Sequence, residues 1–212
     1  MLNKFLFNIS GPYAVGKDTV LNRLVSIFGP RIHRVHTITT RPVSRIADPT
    51  YEELTRDAFE KRVAHGRWIV NYQLSGLTAY GTSVDEIEEA ARLGQVCIHS
   101  VYAGPDGAGR LREIFGRHAL SVGMLPTEGP VTEQLAVLRA RLLTRSRDDA
   151  TAIEARLQHQ VEPLQYVLDN PSVVTDDGLM RVFDKVFFNE EIDETVRRVV
   201  HLFEHTFFGG DG

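Results

Sequence analysis

The sequence contains one cysteine and lacks any long apolar run or basic excess. Cys97 alone can form neither an internal disulfide nor a cysteine-rich zinc site. No stretch reaches the roughly 20 apolar residues of a membrane span, and the apolar start at residues 1–9 is too short for a signal peptide. The 24 lysines and arginines are outnumbered by 28 acidic residues, which disfavours nucleic acid or a membrane as partner. We therefore expect a cytoplasmic protein.

The composition is that of an ordinary globular domain. The chain has 212 residues, of which 42% are hydrophobic and 25% are charged, so it can bury a sizeable core. This length fits one α/β domain better than two, and we expect a single domain over residues 1–212.

Apolar strand-like segments alternate with amphipathic helix-like segments along the chain. The strands are predicted at residues 4–9, 35–40, 67–74, 96–101, 119–125 and 182–189. The helices are predicted at residues 18–28, 56–64, 84–93, 131–143, 151–168 and 192–208, with a bend expected at Pro163. Residues 41–54 contain two prolines and predict a mobile loop. The alternation predicts a mostly parallel sheet covered by helices on both faces.

The most specific motif is GPYAVGKDT at residues 11–19. It has the spacing G-x-x-x-x-G-K and lies between a predicted strand and a predicted helix. Gly11 and Gly16 let the backbone amides converge on one centre, and Lys17 can reach the β- and γ-phosphates of a nucleotide. The motif predicts an ATP-binding loop formed by Gly11, Pro12, Tyr13, Ala14, Val15, Gly16, Lys17, Asp18 and Thr19.

The residue after Lys17 departs from the usual motif. That position normally carries a serine or threonine whose hydroxyl binds Mg²⁺, whereas here Asp18 is followed by Thr19. Asp18 can be a helix cap favoured by the helix dipole. It can equally hold magnesium, directly or through water, because a carboxylate is a good hard-oxygen ligand. Both interpretations stay open, and Asp18 and Thr19 are the candidate metal ligands.

Four later segments follow the phosphate loop in a recognisable order. They read TTRP at residues 39–42, AYGTS at 79–83, an arginine-rich stretch at 139–157 and VFFNEE at 186–191. With the loop, they resemble the guanylate kinase family of P-loop kinases, whose motifs read GPSGxGKST, TTRxxR, YGT and VIVND. The resemblance covers most of the chain. It implies a three-layer P-loop kinase fold with a mostly parallel five-stranded sheet, an acceptor-binding insertion at about residues 33–85 and an arginine-rich lid at about 139–157.

The resemblance also implies roles for individual residues. Lys17 and the lid residues Arg141, Arg145 and Arg156 would stabilise the transferring phosphoryl group, and Asn189 would help to hold the adenine of ATP. The expected acceptor-binding residues are Arg41, Arg45, Tyr51, Asn71, Tyr80, Gly81 and Thr82. The expected enzyme is an ATP-dependent, Mg²⁺-requiring kinase that transfers a phosphoryl group to the phosphate of a small acceptor.

The carboxylates with which the family binds guanine have no clear counterpart here. One lies after TTRxxR, where the shorter stretch offers only Asp48, and the second corresponds to Asn71. The family's DxDxxG stretch corresponds to residues 98–104, where His99 takes the place of an acid and no acid remains. An unmatched polar site can cost about 10⁴-fold in discrimination. We therefore do not expect GMP to be the main acceptor.

A related branch, the ribose 1,5-bisphosphate phosphokinases, is similar at these points. Its loop reads GKDS, its later motif NGLxYG resembles SGLTAYG at residues 75–81, and it lacks the same acidic pair. We hypothesise that Asp18 takes over the magnesium role of the missing acids. The chain departs from that branch in keeping TTRP and YGTS and in adding residues 170–180.

The alternatives are therefore a nucleoside monophosphate or ribosyl phosphate kinase, a ribose 1,5-bisphosphate phosphokinase forming PRPP, guanylate kinase proper, or a non-catalytic binding module. The intact phosphate loop argues against the last of these.

The remaining candidates have simpler structural interpretations. His33 and His36 flank the second predicted strand, and we interpret them as structural residues. His201 and His205 lie four apart on the last predicted helix without an evident third ligand, which favours a surface role. Cys97 is expected to be a small buried residue.

Overall fold

The computed structural model describes residues 4–42, 49–73, 77–145 and 150–209. Its strands are β1 (Leu6–Ser10), β2 (Ile32–Arg34), β3 (Thr37–Thr39), β4 (Tyr51–Glu53), β5 (Trp68–Gln73), β6 (Thr78–Ser83), β7 (Val96–His99), β8 (Ala119–Leu125), β9 (Ser172–Thr175), β10 (Gly178–Arg181) and β11 (Lys185–Phe188). Its helices are α1 (Lys17–Phe28), α2 (Arg56–Val63), α3 (Val84–Arg92), α4 (Arg110–Phe115), α5 (Val131–Arg145), α6 (Ala150–Gln158), α7 (Val161–Asp169) and α8 (Ile192–Phe207). None of these helices has the length and apolarity required to cross a bilayer.

The core sheet has five strands in the order β11-β8-β1-β7-β2, and each neighbouring pair is parallel. Every residue of β1 and of β8 is buried, as expected for parallel strands that helices cover on both faces. On one face α1 packs against α8, where Phe7, Phe28 and Phe203 form aromatic contacts. The predicted α/β class with a five-stranded parallel sheet is confirmed.

A second sheet of four strands has the order β4-β3-β6-β5. We call it the acceptor sheet because it lies within the predicted acceptor-binding insertion at about residues 33–85. β3 pairs in parallel with β4 and antiparallel with β6, and β6 pairs antiparallel with β5. Its small core consists of Ile38, Phe59 and Ala79. A Cβ atom on Gly81 would lie 2.9 Å from Ile38 Cγ1, so any larger residue there would force the Ile38 side chain to shift.

The connection into the acceptor sheet differs from the prediction. Residues 35–40 do not form one strand, because the chain changes sheet at Val35 and His36: β2 pairs with β7, whereas β3 pairs with β6. The predicted loop over residues 41–54 is also partly wrong, since Tyr51–Glu53 pairs with β3. Residues 43–48 of that segment lie outside the described part of the chain.

The chain between the predicted lid and β11 also differs from the prediction. The helix predicted over residues 151–168 is two helices, α6 and α7, separated at His159 and Gln160. Pro163 lies in the first turn of α7, where its missing amide hydrogen has no intrahelical partner to lose, so it does not cause the break. Residues 170–180 contribute to a β9–β10 hairpin that was not predicted, with Gly178 at φ 106°.

Candidate active site

The phosphate loop connects the end of β1 to the start of α1. A Cβ atom on Gly11 would collide with the backbone oxygen of Met124, and one on Gly16 would lie 2.7 Å from Asn189 Nδ2. Gly16 also has φ 104°, a conformation that favours glycine. Ala14 has φ 59° and stands where the family's loop has a glycine, so this loop carries strain that the usual sequence avoids.

Lys17 folds back over the loop from the first position of α1. Its Nζ atom donates hydrogen bonds of 2.8 Å to the backbone oxygens of Gly11 and of Pro12. Burial lowers the pKa of Lys17 to about 8, although the Asp18 carboxylate acts in the opposite direction. The ammonium group is therefore held at the phosphate loop in a setting that disfavours its charge until an anion binds.

Asp18 is exposed in the first turn of α1 and faces the neighbouring cleft. The residue in the N-cap position is Gly16, and no side chain caps this helix. The capping interpretation of Asp18 is therefore wrong, although a carboxylate in the first turn still interacts favourably with the helix dipole. Thr19 is exposed but does not line the cleft. A magnesium role for Asp18 and Thr19 stays a prediction.

A cleft of about 930 Å³ lies between the phosphate loop and the acceptor sheet. The loop and α1 contribute Gly11, Tyr13, Lys17 and Asp18, and the acceptor sheet and its flanks contribute Arg41, Tyr51, Asn71, Tyr80 and Thr82. Most predicted acceptor residues are thus brought to the predicted phosphate site. Gly81 instead packs against Ile38, and Arg45 lies outside the described residues.

Three side chains form a hydrogen-bond relay across this cleft: Tyr13, Gln73 and Asn71. The Tyr13 hydroxyl donates to Gln73 Oε1 at 2.7 Å, and Gln73 Nε2 donates to Asn71 Oδ1 at 3.0 Å. Burial raises the pKa of Tyr13 far above its usual range, and the adjacent Tyr80 adds to this effect, so the phenol stays protonated. The relay leaves the Nδ2 donor of Asn71 for a group bound in the cleft.

Behind Thr82, which lines the cleft, lies a buried histidine. Thr82 Oγ1 lies 2.7 Å from Nε2 of His99, which is only 3% exposed. Burial and the nearby Arg34 lower the pKa of His99 to about 4, so the imidazole is neutral at physiological pH. His99, at the place of a family acid, therefore orients Thr82 without supplying negative charge.

The junction of α6 and α7 forms a third wall that the sequence did not predict. Gln160 is buried there, and its Oε1 accepts a 2.7 Å hydrogen bond from the backbone amide of Tyr13. Glu162, in the first turn of α7, lines the same wall and hydrogen-bonds Tyr102. The available sequence signal was Pro163, which is typical of a helix start and which we interpreted as a bend.

Arg141, Arg156 and Asn189 are not among the residues that line the cleft. Arg141 donates a hydrogen bond to the backbone oxygen of Asn189. The Asn189 side chain is 2% exposed and donates to the backbone oxygen of Val15 at 2.6 Å, beneath the phosphate loop. Arg156 is partly exposed on α6, and the side chain of Arg145 lies outside the described part. Their proposed contacts with ATP remain predictions.

Comparison with known proteins agrees with this architecture. The guanylate kinase family model matches residues 6–206. The guanylate kinase of Alcanivorax borkumensis is 29% identical over 92% of this chain and 88% of its own, and that of Symbiobacterium thermophilum is 28% identical over 94% and 91%. The crystal structure of guanylate kinase from Anaplasma phagocytophilum, 18% identical, has the same fold with a TM-score of 0.66 over 98% of this chain and 88% of its own. The chain belongs to the guanylate kinase family of P-loop phosphotransferases.

Proposed function

We propose that the protein transfers the γ-phosphoryl group of Mg-ATP to the phosphate of a small acceptor bound in the cleft. The observation that carries this proposal is that one cleft is lined by Lys17 of the phosphate loop and by Arg41, Tyr51 and Tyr80 of the acceptor side. A guanidinium and two phenols suit a phosphate monoester, because they offer bidentate and single donors. The acceptor phosphate would then face the γ-phosphate of ATP across the cleft.

The residues would act mainly by positioning and by neutralising charge. Phosphoryl transfer requires little covalent work from a protein, so aligned phosphates and nearby cations supply most of the catalysis. Lys17 is the cation already at the loop. Arg145 is the last residue of α5, and Arg156 lies in α6. We propose that these two helices form a lid whose closure brings both arginines to the transferring group.

Asp18 fits a magnesium site because its exposed carboxylate faces the cleft next to Lys17. Magnesium would neutralise the phosphate charge that Lys17 alone cannot balance. We expect Asp18→Asn to raise the Mg²⁺ concentration for half-maximal activity about tenfold or more. Thr19→Val tests the second candidate ligand separately. An Mg²⁺ titration of Asp18→Asn that matches the parent protein would remove Asp18 from this role.

The polarity of the relay bears on which acceptor is bound. Guanine presents N–H donors that need acceptor groups such as carboxylates. The relay instead ends on the Asn71 amide donor, and His99 and Thr82 add no charge. We propose an acceptor with an oxygen at this position, either a base carbonyl of a nucleoside monophosphate other than GMP or a ribosyl phosphate. Ribose 1,5-bisphosphate belongs to the second class.

ADP release from Mg-ATP with a panel of acceptors tests both parts of the proposal. The panel contains the common nucleoside monophosphates, including GMP, together with ribose 1,5-bisphosphate and simpler sugar phosphates. We expect one non-guanine acceptor to turn over at about 1 s⁻¹ or faster and Lys17→Ala to lose at least about 10²-fold. Asn71→Glu should shift the ratio of kcat/KM values toward GMP, because it restores an acceptor group.

The outcomes separate the competing functions. Preference of the parent protein for GMP would establish guanylate kinase proper and contradict the proposed acceptor class, while leaving phosphoryl transfer intact. Binding of Mg-ATP without turnover of any acceptor would contradict the proposal that the acceptor belongs to one of the tested classes. Failure to bind Mg-ATP would favour a non-catalytic binding module.

A further inference from the structure

Three side chains of residue types that can bind a metal meet outside the cleft, where the chain passes between the two sheets. His33 belongs to β2, His36 lies between β2 and β3, and Glu86 lies in the first turn of α3, just after β6. One ligand atom from each residue lies within 4.8 Å of the other two. β2 belongs to the core sheet, whereas β3 and β6 belong to the acceptor sheet. The three residues therefore connect the segment that enters the acceptor sheet, before β3, with the segment that leaves it, after β6.

The two imidazoles converge on one carboxylate oxygen. Glu86 Oε1 lies 2.7 Å from His33 Nε2 and 2.8 Å from His36 Nδ1, and it accepts a 3.0 Å hydrogen bond from the backbone amide of His36. One carboxylate oxygen is therefore already aligned with two imidazole nitrogens.

This donor set matches a three-ligand zinc site. Two histidines and one glutamate bind zinc with bonds of about 2.0–2.2 Å and leave a fourth position for water. Tetrahedral geometry at those bond lengths places ligand atoms about 3.4 Å apart. The His33–Glu86 separation therefore needs to open by about 0.7 Å and the His36–Glu86 separation by about 0.6 Å. His36 can make this adjustment because 60% of its side chain is exposed.

We propose that His33, His36 and Glu86 form a binding site for one divalent transition-metal ion of the zinc type. Imidazole nitrogens suit zinc, cobalt and nickel, whereas magnesium prefers oxygen ligands, so this site differs chemically from the one proposed at Asp18. The bound ion ties the chain entering the acceptor sheet to the chain leaving it. Glu86 follows the cleft residue Thr82 by four positions, and Ser83 Oγ accepts a hydrogen bond from the Glu86 amide at 3.1 Å, so the ion also fixes the start of α3.

The test uses the tag-free full chain after removal of metal with a chelator. Co²⁺ is titrated while its visible absorption is recorded, and Zn²⁺ is titrated by calorimetry. We expect one equivalent of either ion to bind per chain, with the intense visible bands of four-coordinate Co²⁺, and Zn²⁺ to displace Co²⁺. His36→Ala and Glu86→Gln should each weaken Zn²⁺ binding at least about tenfold, since even outer-shell changes cost that much at metal sites.

His201→Ala is the matched control, because His201 and His205 form another histidine pair whose ring centroids are 6.5 Å apart on α8. This control should bind both ions as the parent protein does. His36→Ala is the variant least able to disturb the fold, and an unchanged thermal transition verifies that it folds. Zn²⁺ binding that is absent from the parent, unaffected in His36→Ala or lost in His201→Ala would overturn the proposal.

Discussion

At the scale of single residues, Tyr13 connects the phosphate loop to two other parts of the molecule. Its hydroxyl donates to Gln73 at the end of β5, and its backbone amide donates to Gln160 between α6 and α7. A serine, which the family's loop carries here, is too short to reach Gln73. The side chain of Tyr13 therefore joins the loop to the proposed acceptor site.

We expect Tyr13→Phe to raise the KM for the acceptor about five- to tenfold, with a smaller effect on the KM for ATP. The change removes one hydrogen bond, worth about 1 kcal/mol. Without it the Gln73 side chain is no longer held in place, and its hydrogen bond to Asn71 is weakened. Steady-state kinetics with each substrate varied in turn measure both constants. Tyr166→Phe is the control, since this tyrosine packs against Phe183 away from the cleft. Equal changes in both KM values would contradict the relay.

The lowered pKa of Lys17 predicts that nucleotide binding depends on pH. Its pKa of about 8 in the free protein lies below the usual lysine value because burial disfavours the ammonium form. A bound triphosphate favours that form and raises the pKa again, so above pH 8 binding must take up a proton. We expect ATP affinity to fall by up to about tenfold per pH unit above 8.

Calorimetry of ATP binding at pH 9, in two buffers with different ionisation enthalpies, measures this proton uptake. It should approach one proton per ATP in the parent protein and disappear in Lys17→Met. The same uptake in both proteins would assign the proton to another group.

The geometry of the phosphate loop was predictable because the loop is contiguous. Gly11, Gly16 and Lys17 act within a few residues of one another, so their spacing contains most of the geometry. The relay was not predictable in the same way, because Tyr13 and Gln73 are 60 positions apart and meet only after the acceptor sheet forms. His33, His36 and Glu86 converge for the same non-local reason.

At the scale of helices and strands, prediction succeeded where periodicity and chain breakers agreed. Both ends of β8 were predicted correctly, and α1 and α8 were predicted to within one residue at each end. The predicted strand over residues 35–40 failed because a change of pairing partner leaves no mark on apolar patterning. The helix over residues 151–168 failed because its break at Gln160 is stabilised by a tertiary contact with Tyr13.

Helix α4, which the sequence did not predict, supplies a fully buried arginine to the core sheet. Arg112 is 0% exposed and donates to the backbone oxygens of Gly116 and Val182 and to Asp184 Oδ2 at 2.6 Å. Asp184 also accepts a 2.7 Å hydrogen bond from the backbone amide of Ser121 on β8. The Arg112 guanidinium thus connects α4 to the segments that immediately precede β8 and β11.

We expect Arg112→Ala to lower the free energy of unfolding by about 3–5 kcal/mol, because it leaves Asp184 and buried carbonyl groups without their partner. Arg110→Ala is the matched control on the same helix. Its ion pair with Glu113 is exposed and should contribute less than about 1 kcal/mol. Urea unfolding of both variants measures the difference. A loss below about 1 kcal/mol in Arg112→Ala would show that this buried network is not stabilising.

At the scale of the whole molecule, two sheets with cores of unequal size share one cleft. The core sheet is covered by a large buried cluster that includes Phe7, Leu24 and Phe187. Among the described residues, the separate cluster of the acceptor sheet has three buried members, Ile38, Phe59 and Ala79. Fewer buried apolar contacts mean a smaller free energy of local opening. The acceptor sheet should therefore be the part that opens and closes around substrates.

We predict that the amides of β3, β5 and β6 exchange with solvent deuterium at least about tenfold faster than those of β1 and β8, which corresponds to an opening free energy lower by about 1.4 kcal/mol. Hydrogen exchange followed by mass spectrometry measures this directly. Adding the acceptor that the turnover panel identifies should slow exchange in the acceptor sheet while leaving β8, where all seven residues are already buried, unchanged. Phe59→Leu should speed exchange in the acceptor sheet alone, because Phe59 lies in its separate core. Equal exchange rates in the two sheets would mean that they open as one unit, and closure would then have to come from the lid helices α5 and α6.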